Sequence, residues 1–272
     1  QWFCEMLNSI KLFVRETLNR LGYELQKSEL LTTSDDPFFI LSKLLCSDEV
    51  NSIVDAGASI GETSKRLSNF FPNAKIYAIE PFPPFFEKLS CLSKDNYNIS
   101  AHNIAFSNFN GKSKLNINKS EGTNSLLDSN LEYLRIFDDL LKKEDQIEVS
   151  CLTLDSFTEE NKLENLDILK LDLQGYEAKA IEGASNLLQN NKVCVILCEI
   201  IFEEIYKGQG NPFELMNLLV EKYSFKFFNL YQKIYHNGKL LQADAILIHK
   251  SKFDEIWSNC EKNFHDHSKF LL

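Results

Sequence analysis

Short apolar runs alternate with helix-like segments along most of this chain. The runs have strand length and predict β-strands at residues 52–56, 75–80, 99–105, 167–173 and 192–200. The segments between and after them predict helices at residues 62–71, 84–92, 176–188 and 212–223. Strands that alternate with helices form mostly parallel sheets with helices on both faces, so the pattern predicts an α/β fold.

The middle and the end of the chain depart from this alternation. Residues 225–231 and 243–249 predict a terminal strand pair, which suggests an antiparallel edge to the sheet. Residues 113–117 and 147–151 predict two further short strands. The polar segment 118–145 carries a helical patch at residues 131–141, and we interpret it either as a mobile cover over a site or as a plain surface loop.

Both ends of the chain extend this pattern. Apolar residues at helical spacing over residues 2–21 predict a helix that packs on the domain, or else forms a dimer or membrane-surface contact. A second helix is predicted at residues 38–45. We therefore predict a helical N-terminal extension over 1–46, a main domain over 47–250 and a C-terminal tail over 251–272.

Composition narrows the class of protein. The 272 residues carry a net charge of -10 and no positive run longer than two residues, which disfavours nucleic acid and a polybasic membrane anchor. Without a long apolar run or a signal-peptide core, we expect no transmembrane segment and a cytoplasmic location. The seven cysteines lack a C-x-x-C pair and favour a reducing compartment. His265-Asp266-His267 is too small a set for a metal site, so we predict no metal.

The most informative segment covers residues 53–63, where an apolar run ends in Asp55 and a glycine turn leads into a helix. A second predicted strand ends in Glu80. This order is typical of α/β sheets that bind an adenosine-containing ligand. Gly57 and Gly61 enclose three residues and match neither the pyrophosphate nor the triphosphate pattern. A ligand without phosphates, such as S-adenosylmethionine, fits this turn, whereas the missing glycine disfavours an NAD-dependent oxidoreductase.

Several residues around this turn are candidates for binding the cofactor. Asp55 can accept from the ligand's ammonium group, or it can cap the following helix. Gly57 and Gly61, with Ser59 between them, let the methionine part approach the backbone. Glu80 can accept from both ribose hydroxyls.

Two more candidates follow the next strand. Asn103 and Ala105 stand at the predicted end of that strand, beside the expected place of an adenine. The Asn103 amide can read the adenine edge, but it fits a turn residue equally well.

The ordered motifs of the chain resemble those of FkbM-type methyltransferases. Between about residues 52 and 249 they run VDAGASIGETS, YAIEPFP, NSLL, LTLDSF, LKLDLQGYEAKAIEGA and VILCEI. The resemblance implies the class I methyltransferase Rossmann-like fold. It also implies an S-adenosylmethionine-dependent O-methyltransferase that acts on a hydroxyl of a sugar, glycan or secondary metabolite.

The late motifs supply the candidate catalytic residues. Lys170 and Asp172 share one face of a strand, and a buried charge there needs a partner, for which Glu199 is the candidate. The resemblance implies the same polar cluster. Asp172 is our candidate base or orienting group for the acceptor, although it can instead only brace the loop. Gln174 is an amide where some relatives carry an acid, which leaves its role open.

Asn124 and Ser125 match the NSLL element of the resemblance. They can contact the substrate or close a cover, but both residue types are also common in ordinary loops. A non-catalytic module that kept the nucleoside pocket is the alternative to an enzyme, and turnover distinguishes the two.

Overall fold

The protein has an α/β fold, as the sequence predicts. We describe it from a computed structural model that covers residues 35–133 and 139–265, without the side chains of Leu131 and residues 259–265. The strands are β1 Ser52–Ala56, β2 Lys75–Ile79, β3 Ile99–His102, β4 Ala105–Phe106, β5 Gly111–Asn118, β6 Lys143–Leu152, β7 Leu166–Leu171, β8 Val193–Ile201, β9 Phe225–His236 and β10 Lys239–His249.

The α-helices of the described residues lie between and after these strands. They are α1 Pro37–Leu44, α2 Glu62–Phe70, α3 Pro83–Asp95, α4 Leu154–Glu160, α5 Glu177–Glu182, α6 Ser185–Gln189, α7 Pro212–Asn217 and α8 Lys250–His265. The last part of the predicted helix at 212–223 is a π-helical turn, Leu218–Lys222.

Seven strands form the main sheet in the order β3-β2-β1-β7-β8-β10-β9. Strands β3, β2, β1, β7 and β8 pair in parallel, and β10 is antiparallel to both of its neighbours. The predicted antiparallel strand is therefore β10, and its partner β9 is the edge strand of the sheet. Strand order reverses at β1, so a crevice opens at the carboxyl end of this strand, where α/β sheets bind their ligands.

Both faces of the sheet are buried, and side chains alternate between them. Val54 packs in one core cluster with α5, α6 and α7, whereas Ile53 packs in the other with α1, α2 and α8. Leu169 and Ile168 on β7 divide in the same way. Because a central strand is covered on both faces, a charged side chain on it is removed from water and needs a partner.

A second, smaller sheet consists of β4, β6 and β5 in that order. It contains both predicted short strands, which are longer than their patterns indicated. The predicted strand at 99–105 is wrong at its end, because β3 stops at His102 and Ala105 pairs with Cys151 of β6. The chain thus leaves the main sheet two residues before Ala105 and crosses to the second one.

The predicted helix at 176–188 is also wrong, because it is broken into α5 and α6. Asp155 stabilises the break. Its backbone N–H donates to the Gly183 carbonyl at 3.0 Å, and its carboxylate accepts from Asn186 N and Leu187 N at 2.8 and 2.9 Å. A carboxylate on these free N–H groups caps α6 in the usual way.

The segment 118–145 lies between two strands, since β5 ends at Asn118 and β6 begins at Lys143. Short 3₁₀ turns form at Glu121–Thr123 and Leu131–Tyr133, and β6 begins at Lys143, so no helix covers 139–141. Residues 134–138 lie outside the described residues, which leaves the rest of the predicted helical patch untested.

Two expectations about the ends fall outside the described residues. They are the helix at 2–21 with its dimer contact, and the metal reading of His265-Asp266-His267. The compact unit that contains the sheet begins at Asp35. In it α1 packs in the same core cluster as β1, and the division at residue 46 stays a prediction. Within the described part of the chain, the helices are too short or too polar to cross a bilayer.

Candidate functional site

A cleft lies at the carboxyl edge of the main sheet. It opens where the turn after β1, the end of β2 and the turn after β7 come together. Gly57 and Ser59, Glu80, and Asp172 and Gln174 line it from these three places. The strand ends that the sequence analysis selected therefore meet at one cleft.

Glu80 lies at one end of the cleft in a rigid setting. Its Oε2 accepts from the Ser59 backbone N–H and its Oε1 from the Phe82 N–H, both at 2.8 Å. Ser59 holds a left-handed backbone (φ 50°) that directs this N–H at the carboxylate. Burial raises the pKa of Glu80 to about 7 although both N–H groups lower it. The carboxylate is thus fixed in place with acceptor capacity left for a ligand.

Asp55 does not reach the cleft, contrary to the expectation of an ammonium contact. Its side chain is fully buried. One carboxylate oxygen accepts from Ser64 Oγ at 2.6 Å, and the other lies 3.2 Å from Lys170 Nζ. Ser64 is on α2, so Asp55 ties this helix to the sheet from inside the protein.

The two glycines are required by the fold more than by a ligand. A Cβ on Gly57 would lie 1.9 Å from the Asp172 carbonyl oxygen, and one on Gly61 would lie 2.8 Å from Leu89 Cδ1. Both glycines have a positive φ. Gly57 still lines the cleft with its backbone, but Gly61 faces α3 and does not line it, so this placement does not support its expected ligand contact.

Asn103 is a turn residue, the second of the two roles that its sequence position allowed. Its amide Nδ2 donates to the carbonyls of Glu80 and Pro81 at 2.9 and 3.1 Å, on an exposed side chain. The expected contact with adenine is not supported by this placement. Ala105 does line the cleft, from β4, and is joined by Phe106.

Lys170 is the buried centre of the site. It is the register partner of Asp55 across β1 and β7. Its ammonium lies 3.2 Å from Asp55 Oδ1, 3.5 Å from Asp172 Oδ2 and 3.0 Å from the Gly57 carbonyl oxygen. Burial lowers the pKa of Lys170, but Asp55 and Asp172 more than offset it, so the net direction is upward. The expected direct pairing with Glu199 is therefore replaced by Asp55, which is directly opposite.

Glu199 joins the cluster through amides. Gln174 Nε2 donates to Asp172 Oδ1 at 2.8 Å and to Glu199 Oε2 at 3.2 Å, and Gln242 Nε2 donates to Glu199 Oε1 at 2.9 Å. Burial and the neighbouring carboxylate of Asp172 raise the pKa of Glu199 well above its usual range. Gln174, whose role the sequence left open, thus bridges two acids.

Two members of this cluster were missed by the sequence reasoning. Asp244 is the register partner of Glu199, and burial followed by the Asp172 charge raises its pKa to about 6. Tyr206 lies in the loop after β8 and donates its hydroxyl to Gln174 Oε1 at 2.8 Å. Asp244 carried a signal, as an acid inside an apolar strand pattern, whereas Tyr206 carried none.

The segment after β5 forms a wall of the cleft. Ser125 Oγ donates to the Gln174 carbonyl at 2.7 Å, and the backbone N–H of Asn118 donates to Asn124 Oδ1 at 2.9 Å. The other end of the Asn124 amide, Nδ2, is buried without a hydrogen-bond partner. Asn124 lines the cleft, so its donor is placed for a ligand acceptor.

Among the described side chains, no group of three or more His, Cys, Asp or Glu residues is arranged to hold a metal ion. The described cysteines are free, and Cys198 is buried in an apolar core cluster.

Comparison with known proteins identifies the family of this site. The Methyltransferase FkbM domain family matches residues 55–227, which is more than half of the chain. The chain belongs to this family. It is similar to the 2-O-methyltransferase NoeI of Sinorhizobium fredii (strain NBRC 101917 / NGR234), with 24% identity over 176 residues that cover 61% of this chain and 70% of that protein.

Solved structures show more distant similarity. One is the methyltransferase FkbM from Methylobacillus flagellatus KT, with 16% identity, a TM-score of 0.48, and coverage of 76% of this chain and 45% of that one. Another is Aeropyrum pernix fibrillarin in complex with natively bound S-adenosyl-L-methionine, with 13% identity, a TM-score of 0.43, and coverage of 77% and 74%.

Substitution of Gly57 tests the packing of the turn. We expect Gly57→Ala to lower the free energy of unfolding by more than about 3 kcal/mol, because a left-handed non-glycine residue costs about 1–3 kcal/mol and the Cβ also overlaps the Asp172 carbonyl. Gly122→Ala is the matched control, since nothing lies within 4 Å of its added Cβ. Urea unfolding of both variants makes the comparison, and equal stability of the two would contradict it.

Proposed function

We propose that this FkbM-family methyltransferase is S-adenosylmethionine-dependent and methylates a hydroxyl of an uncharged acceptor, such as a sugar, glycan or secondary metabolite. The observation that carries the proposal is the shared cleft. Glu80, the Gly57 backbone and Asp172 line one space at the point where strand order reverses.

The residues of the cleft fit an adenosine-containing cofactor. Glu80 would hold the two ribose hydroxyls, because its carboxylate is fixed by two backbone N–H groups and still has free lone pairs. Ala105 and Phe106 offer an apolar surface for the base. The unpaired Nδ2 of Asn124 supports the same assignment, since a buried donor needs an acceptor.

Asp172 is placed for the acceptor. When bound, S-adenosylmethionine supplies a methyl group on a positively charged sulfur atom. The Asp172 carboxylate is partly exposed to the cleft and is oriented by Lys170 and Gln174. It would accept the hydrogen bond of the acceptor hydroxyl and then its proton. Alignment of that oxygen provides most of the acceleration, so orientation of Asp172 matters as much as its basicity.

The charge of the cleft supports an uncharged acceptor. Its acidic lining residues are Glu80, Glu121 and Asp172, and no lysine or arginine of the described chain lines it. A phosphorylated substrate would need cationic partners. Sugar and alcohol hydroxyls do not, and the relative NoeI is described as a 2-O-methyltransferase.

Cofactor affinity is expected to depend on pH through Glu80. Ribose hydroxyls donate more strongly to the ionised carboxylate, and burial raises its pKa to about 7. Affinity for S-adenosylhomocysteine should therefore rise with pH through 7, and be about fivefold to tenfold weaker at pH 6 than at pH 8. Calorimetry between pH 6 and pH 8 measures this affinity.

Glu80→Gln keeps the shape of the side chain and is the control. It should bind S-adenosylhomocysteine weakly, with an affinity that does not change with pH. An affinity that depends on pH as steeply as in the parent would show that Glu80 is not part of the site.

Turnover tests the catalytic proposal. The protein is incubated with S-adenosylmethionine and a panel of free sugars, methyl glycosides, oligosaccharides and polyols, and S-adenosylhomocysteine is measured. With the best acceptor, we expect Asp172→Asn to lower kcat by about 10²–10⁴ with cofactor affinity within a few-fold of the parent. Unchanged kcat per folded molecule would mean that Asp172 only stabilises the loop and takes no part in methyl transfer. Cofactor binding with no turnover above background on any acceptor would favour the alternative of a non-catalytic binding module.

A further inference from the structure

The turn after β7 is held in one conformation by contacts from several segments. Gln174 has a left-handed backbone (φ 53°). Its carbonyl accepts from Ser125 Oγ at 2.7 Å, and the Glu177 carboxylate accepts from the backbone N–H groups of Leu173 and Gly175 at 2.6 and 3.3 Å. The backbone of Gln174 is therefore fixed, and its remaining freedom is the orientation of the side-chain amide.

Tyr206 contacts that amide from the opposite side. The tyrosine is 1% exposed. Its hydroxyl lies 2.8 Å from Gln174 Oε1 and 3.1 Å from the Thr123 carbonyl oxygen. Its ring packs on Gly175 so closely that an added Cβ there would lie 2.9 Å from Tyr206 Cδ2. The loop after β8 thus reaches the turn that carries Asp172.

The hydrogen bonds at the two ends of the amide require the same orientation. The Asp172 carboxylate needs a donor, so the NH₂ end of Gln174 faces it at 2.8 Å and also lies 3.2 Å from Glu199 Oε2. The Tyr206 hydroxyl donates its single hydrogen to the Oε1 end at 2.8 Å, the shorter of its two acceptor contacts. A flipped amide would lose both carboxylate contacts, and the tyrosine hydroxyl disfavours that flip.

We propose that Tyr206 is a positioning residue for methyl transfer, which acts through Gln174 to hold the Asp172 carboxylate toward the acceptor. The inference rests on the proposed function of the cleft. Gln174 Nε2 donates one hydrogen to Asp172 and the other to Glu199, and Tyr206 helps to keep both hydrogen bonds aligned. Without the hydroxyl, the amide loses the contact at Oε1 that helps to hold Nε2 on Asp172.

The test uses two ligands and needs no acceptor. One is S-adenosylhomocysteine. The other is a cofactor analogue in which a carbon atom that carries a primary amine replaces the sulfur and its methyl group. The ammonium of the analogue occupies the place of the methyl group, so its affinity relative to S-adenosylhomocysteine reports how well a carboxylate faces that place. Calorimetry at one pH gives this ratio for each variant, and thermal unfolding gives its stability.

Tyr206→Phe removes the hydroxyl and keeps the ring. We expect the affinity ratio to fall about threefold to tenfold, the usual effect of one lost orienting hydrogen bond, with S-adenosylhomocysteine affinity within about twofold. Tyr133→Phe is the matched control. Its hydroxyl donates to Glu203 Oε2 at 2.5 Å, in the same wall of the protein, but does not touch Gln174. This control should leave the ratio unchanged.

A second variant, Gln174→Leu, keeps the tyrosine and removes the amide through which it would act. Gln174→Leu should lower the ratio by itself, and adding Tyr206→Phe to it should lower the ratio no further, because the tyrosine acts through the amide. An unchanged ratio in Tyr206→Phe, or equal losses in Tyr133→Phe, would overturn the inference while the cofactor site stands. If neither ligand binds the parent protein, the proposed function falls and the inference falls with it.

Discussion

One buried ammonium joins the parts of this site. Lys170 stands directly opposite Asp55 across the two central strands and also contacts Asp172 and the Gly57 carbonyl. Removing one partner of a buried ion pair typically costs about 3–5 kcal/mol, because the other charge stays uncompensated. The glycine turn and the turn after β7 therefore hold their positions together, and each depends on the same charge.

This constraint explains how several acids can lie close together at the edge of the sheet. Lys170 offsets Asp55 and Asp172, while amides from Gln174 and Gln242 serve Glu199. Burial raises the pKa of Glu199, so its charged form is disfavoured and repulsion within the cluster falls. The result is a polar network in which Asp55, Lys170 and Glu199 are buried, whereas Asp172, Gln174 and Gln242 are half-buried.

Short-range pattern was enough for the sheet and for the strand ends that carry the site. Glu80 and Asp172 were found because each follows an apolar run, and parallel strands end at one edge. The pattern failed where partners are distant in sequence. The Asp55 side chain points into the core because Lys170 is its register partner. Position 57 must be a glycine because the Asp172 carbonyl, 115 residues later, leaves no space for a Cβ. Tyr206 had no signal at all, since its role depends on where a loop folds back.

In the proposed function, one cleft holds the cofactor ribose at Glu80 and the reacting sulfur at Asp172. A crystal structure of the protein with S-adenosylhomocysteine would test this placement. We predict both ribose hydroxyls within hydrogen-bonding distance of the Glu80 carboxylate and the sulfur atom on the side of the cleft that Asp172 lines. A nucleoside bound elsewhere, or one whose ribose does not touch Glu80, would contradict the proposed cofactor site.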